Sequence, residues 1–210
     1  MTDVFDLVAT ERRRAADLFE SLDDAQLATR TLCSAWTARD MAGHLVVPFS
    51  YSPPRLVLGL AKARGSFHRF NARAAVEQGR RPLADLVETL RRKATSRWTP
   101  PGHPPSAPLT DVCVHTRDVA RPLGLDTGAP PETWRFVLDF LVTPVAHRAF
   151  VPKGRIEGLR LRATDLDWSH GDGAEVSGPS EALALALVGR GVALDDLSGD
   201  GVAVLRGRLG

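Results

Sequence analysis

Three side chains suited to one kind of chemistry stand out in this chain: His44, Asp111 and His115. Asp111 and His115 are four residues apart, so on a helix they rise from one face a turn from each other and can converge on a single ion. Imidazole and carboxylate are ligands that a divalent cation such as zinc accepts, and two from the protein do not ordinarily suffice. His44 is the candidate third. Three side chains would leave a coordination position for water or substrate, as catalytic sites do, whereas a structural site is closed by four. Spacing alone leaves a plainer reading open, in which the two histidines only bond to nearby carboxylates. Asp40 lies four residues before His44, and Asp118 lies three after His115. A metal-bound imidazole needs the same kind of acceptor for its second N–H, so Asp40 and Asp118 are candidates to orient the ligands in either case.

The elements that must place these groups can be read around them. A helix opens at Thr37: the threonine caps it, Asp40 at the third helical position reaches back, and Trp36 packs on Met41 across the cap. His44 then lies about two turns in. Pro48, Pro53 and Pro54 kink or end this helix before a new segment over Arg55 to Arg64. Asp111 and His115 fall on a helix running from about Pro108 to Leu123, with Gly124 as its stop. Apolar residues at helical spacing predict further helices over Phe5 to Leu22 and from Pro82 to Ala94, Asp23 to Ala28 forming a connection and Pro100 to Pro108 a loop. Asp111, His115 and Asp118 make a polar stripe that a four-helix bundle would turn toward an interior site.

The pattern changes near Gly128. Pro130 to Ala149 reads as helical, and Ile156 to Thr164 alternates like a strand with a slip at Gly158. A turn over Ser169 to Gly173, a strand over Ala174 to Ser177, a helix over Pro179 to Val188 and a strand over Val202 to Leu205 follow. The expected fold class is α+β, with a helical domain over 1–127 and a small α+β domain over 128–210.

Composition narrows the function. Hydrophobic residues at 43% and charged residues at 25% over 210 positions are ordinary globular values. The two cysteines, Cys33 and Cys113, are far apart and signal neither a disulfide framework nor a zinc ribbon. The start MTDVFDLVATERRR has no apolar core of a signal peptide and no window is long enough to span a membrane, so a cytoplasmic location is expected. Eleven Arg or Lys face only Glu77, Asp85 and Glu88 between Arg55 and Arg97. Two solvated helix faces account for that charge, since no helix-turn-helix or aromatic platform accompanies it, and a nucleic-acid partner is not expected. His68, His103 and His147 lack ligand-type neighbours, and His170 decorates a glycine-rich turn. Gly171-Asp172-Gly173 and Gly199-Asp200-Gly201 are turns rather than phosphate loops, and neither GxSxG nor HExxH occurs.

Two segments, Trp36 to Leu45 (WTARDMAGHL) and Thr110 to Ala120 (TDVCVHTRDVA), resemble the signatures of the mycothiol-dependent maleylpyruvate isomerase family. Leu159 to Gly173 (LRLRATDLDWSHGDG), Gly178-Pro179 and Leu197 to Gly201 (LSGDG) are similar to that family's C-terminal domain. The resemblance implies a DinB-like bundle binding a divalent metal, usually zinc, at the positions of His44, Asp111 and His115. Asp111 stands where members commonly carry Glu, which shortens its reach by about 1.5 Å. It further implies mycothiol, the low-molecular-weight thiol of actinobacteria, as cosubstrate, and a small electrophilic substrate for isomerase or thiol-transfer chemistry. A C-terminal arginine is expected at such a site, with Arg190 and Arg206 as candidates. The alternative is a metal- or small-ligand-binding protein without turnover, and the chain could act as a monomer or a homodimer.

Overall fold

A computed structural model describes residues 3–209, which divide into two compact units: Met1–Trp98 with Asp111–Gly128, and Thr99–Thr110 with Ala129–Gly210. Helices α1 (Val4–Ser21), α2 (Asp24–Ala28), α3 (Ala38–Ser50), α4 (Pro53–Lys62), α5 (Phe67–Gly79) and α6 (Leu83–Arg92) belong to the first unit. Helix α7 (Ser106–Ala120) gives it its residues from Asp111 onward. Local chemistry starts several of these helices. Asp3 accepts from the Phe5 N–H to cap α1, and capping boxes close at Asp23–Gln26 and at Thr37–Asp40. Helix α7 passes into a 3-10 turn over Arg121–Leu123 and stops at Gly124, whose left-handed φ of 66° suits glycine.

Packing in this unit is densest where α3 meets α5. A Cβ on Gly43 would run into the Ala75 carbonyl and the Gly79 backbone nitrogen, so the two helices touch main chain to main chain. Helix α1 packs on α6, and α6 also on α3, burying Val8, Phe19, Met41, Leu86 and Leu90. Burying a side chain of this size contributes about 1.5–3 kcal/mol each. Arg12 ties two helices together: its Nη1 donates to the carbonyls of Lys93, Ala94 and Ser96, which follow α6, and its guanidinium lies 5.1 Å from the Phe49 ring centre.

The second unit carries α8 (Pro131–Leu141), β1 (Leu159–Ala163), β2 (Ser169–His170), β3 (Ala174–Gly178), α9 (Ser180–Leu187) and α10 (Gly201–Gly207). The sheet order is β2-β1-β3, with β1 antiparallel to β2 (Leu161 opposite His170) and parallel to β3 (Leu161 opposite Val176). Leu159, Leu161 and Ala163 point inward while Arg160 and Arg162 face solvent, the alternation of a one-sided sheet. Helix α9 covers that sheet, and its Leu183, Leu185 and Leu187 are buried. The fold class is α+β.

Three local expectations differ from the structure. Helix α5 has no counterpart in the sequence reading. Val202 to Leu205 is part of helix α10 rather than a strand: Gly201 and Leu205 are buried and Ala203 and Val204 exposed, a four-residue period that four residues of V-A-V-L cannot display. As expected, helix α3 ends among the prolines, at Ser50, with Pro48 accommodated in its last turn. The turn expected over Ser169 to Gly173 holds strand β2 at its start, paired to β1. No helix among the described residues is long and apolar enough to cross a membrane.

Candidate metal centre

The capping box sets the register of α3. The Asp40 N–H is bonded by Thr37 Oγ1, while Asp40 Oδ2 accepts from the Thr37 N–H and hydroxyl at 3.0 and 2.8 Å. That register turns His44 inward, where it is 6% exposed. From α7, Asp111 and His115 rise one turn apart. The ligand atoms of His44, Asp111 and His115 all lie within 4.8 Å of one another. The two imidazoles approach one carboxylate oxygen: Asp111 Oδ1 is 3.4 Å from His44 Nε2 and 3.5 Å from His115 Nε2. The shorter aspartate side chain therefore reaches both rings.

Those separations contrast with a true charge-assisted hydrogen bond a few ångströms away. His115 Nδ1 lies 2.8 Å from Asp118 Oδ2, inside the usual 2.7–2.9 Å for such bonds. Asp118 is completely buried, and the Cys33 thiol also meets its Oδ2, at 3.4 Å. The two nitrogens of His115 thus face different groups: Nδ1 turns to Asp118 and Nε2 toward His44 and Asp111. Cys33, His115 and Asp118 form a second set whose ligand atoms lie within 4.8 Å of one another.

Electrostatics favour an ionised Asp111. Burial by itself would raise its pKa, but His44, His115 and Arg12 together outweigh it, and the carboxyl is held at about 2. Burial lowers the Arg12 pKa to about 10, against the pull of Asp111, so the guanidinium still carries its charge at neutral pH. The side chain of Asp111 is 36% exposed while those of His44 and His115 are 8% and 13% exposed. Solvent therefore reaches the trio from the carboxylate side.

The remaining candidates separate. Asp40 does not serve His44: its oxygen is engaged by Thr37, and among the described residues His44 Nδ1 is buried without a hydrogen-bond partner. Arg190 donates to the Val188 carbonyl and Arg206 pairs with Asp195, both within the second unit. Trp36 was not read as part of the site. Its indole stacks on His44 with ring centres 4.8 Å apart and turns an edge toward His115. Its place directly before the cap of the helix that bears His44 is the sequence signal that could have found it.

The family model described as the mycothiol maleylpyruvate isomerase N-terminal domain matches residues 8–120. A solved structure of a histidine-to-alanine mutant of the mycothiol-dependent maleylpyruvate isomerase is similar in fold, with a TM-score of 0.52 and 15% identity over 94% of this chain and 91% of that one. A second structure of the mycothiol-dependent maleylpyruvate isomerase aligns over the same shares at 16% identity and a TM-score of 0.48. No curated protein matches the chain.

Proposed function

The chain belongs to the mycothiol maleylpyruvate isomerase family, and on that footing we propose that it is a metal-dependent enzyme that activates a low-molecular-weight thiol for isomerase or thiol-transfer chemistry on a small electrophile. His44 Nε2, Asp111 Oδ1 and His115 Nε2 are the atoms that would hold a divalent cation, zinc being the best suited to two imidazoles and a carboxylate. The observation that carries this reading is the pair of 3.4 and 3.5 Å separations at Asp111 Oδ1. Both are long for hydrogen bonds between charged groups. They are close to the edge of about 3.3 Å that separates two ligands at 2.0–2.1 Å from a tetrahedral ion.

A cation held there would supply the positive charge that lowers a thiol's pKa and keeps its sulfur in the nucleophilic, anionic form. The side chains set the conditions for that chemistry. Asp111 stays ionised and gives the centre a solvent-facing side through which a thiol can enter. Asp118 takes the Nδ1–H of His115 and so keeps Nε2 free as the ligand atom. Trp36 walls the His44 side with an apolar face. With three protein ligands, a fourth position remains for the sulfur. Mycothiol is the thiol proposed, a cytoplasmic location the setting, and the electrophile is defined only by class.

Cobalt(II) replacement tests the proposal, because a thiol bound to cobalt gives a sulfur-to-metal charge-transfer band. Cobalt-loaded Cys33→Ser protein, which removes the neighbouring thiol, is expected to gain that band on titration with mycothiol. Metal binding with no thiol-dependent band at millimolar thiol would overturn the enzyme reading and leave a metal-binding protein without turnover.

A further inference from the structure

The two imidazoles of the centre are held by different means. His115 has the buried Asp118 on its Nδ1. His44 has no such acceptor among the described residues, where its Nδ1 is buried without a partner. A histidine ring turns about a broad, roughly two-fold terminal torsion, and with no bond at Nδ1 the long 3.4 Å approach of Nε2 to Asp111 Oδ1 is a weak polar hold on its orientation. The group that does lie against the ring is the Trp36 indole, nearly parallel to it at 28°, with centres 4.8 Å apart.

We propose that Trp36 is a positioning residue of the metal centre, its indole face holding the His44 ring where a carboxylate would ordinarily do so. This inference rests on the metal reading of the preceding section. The main chain that carries the indole is fixed from both sides, through the backbone N–H and the carbonyl of Trp36. The Trp36 N–H donates to the Cys33 carbonyl at 2.8 Å, and its own carbonyl accepts from the Thr31 N–H and hydroxyl at 3.0 and 3.1 Å. The next residue is Thr37, locked into the capping box of α3. The plate and the ring it holds are thus anchored at the start of one helix, eight residues apart in sequence. Ligation to a cation draws electron density from the imidazole, which strengthens its attraction to the electron-rich indole face. The stack therefore stabilises the metal-bound ring more than the free one.

The test compares full-length wild type with Trp36→Phe and Trp36→Leu. Zinc affinity is measured by chelator competition, and nuclear Overhauser contacts between the His44 and His115 rings are measured in metal-free protein, where the centres lie 4.6 Å apart. Thermal melting verifies that each variant is folded. Loss of a partner outside the ligand shell typically costs 10–100-fold in metal affinity. Trp36→Leu is expected to lose at least tenfold and to weaken the ring-to-ring contacts, while Trp36→Phe retains both to within about threefold. A folded Trp36→Leu variant with wild-type affinity and intact ring contacts overturns the proposal, and so does a Phe variant as impaired as Leu. If wild type binds no zinc, the metal reading fails separately, and the ring contacts of the metal-free proteins still decide the role of Trp36.

Discussion

Asp111 illustrates how much of the site's behaviour is set by one carboxylate between two imidazoles. Its pKa of about 2 lies below the ordinary 3.8, so in metal-free protein its contribution to stability is present above about pH 4 and is lost as the pH falls through 2. Acid unfolding of the metal-free Asp111→Asn variant should lack that component, which a pH series of denaturant midpoints will show. Metal loss has a different origin. Metal ligands must be deprotonated, so zinc should dissociate on acidification, as read by a released-zinc dye. At His115, replacing Asp118 by Asn removes the charge that orients the ring, and zinc affinity should fall by about 10–100-fold. Residue-level legibility was uneven for a physical reason. Four-residue spacing on a helix puts Asp40 beside His44, but the same carboxylate is also three residues from the cap, and the capping box claims it. The place of Trp36 before the cap puts it near the helix that bears His44, but the stacking of its ring on the imidazole belongs to the tertiary fold.

Helices α3 and α5 show what element-scale reading captures and misses. The start of α3 was legible because cap, third residue and preceding aromatic are adjacent in sequence and act locally. Helix α5 was not, because its closest contact with α3 runs through the backbone of Gly79 and Ala75, which leaves no mark in the apolar periodicity. Close approach is itself testable. Gly43→Ala would gain about 1 kcal/mol of helix propensity. Its methyl would collide with the Ala75 carbonyl and the Gly79 backbone, which cannot rotate away as a side chain can. Overpacking costs about 1–3 kcal/mol and more where only backbone can move, so a net destabilisation is expected in chemical denaturation. Arg12→Ala should also destabilise, by about 2–4 kcal/mol, since it leaves three carbonyls without their charged donor. Over 202–205 the sequence does not separate strand from helix, because β-branched residues in a four-residue window fit a strand as well as a turn of helix.

Across the whole molecule, the α+β class was legible because the change from helical to alternating periodicity falls between long, well-patterned segments. Residues 99–110 group with the C-terminal unit, and a proline-rich stretch carries no periodicity from which to read its neighbours. Binding to the folded state alone couples the centre to stability. Free zinc at about 100 times its dissociation constant should add about 2.7 kcal/mol, raising the melting transition of the first unit by about 5–10 °C. His44→Ala should abolish that rise. The most direct measurement is metal content by plasma mass spectrometry on protein loaded with zinc and desalted, for wild type, His44→Ala and His115→Ala. One equivalent in wild type and a small residue in both variants is the expected result. Full retention by the two variants, or no zinc in wild type, would contradict a centre built from His44, Asp111 and His115.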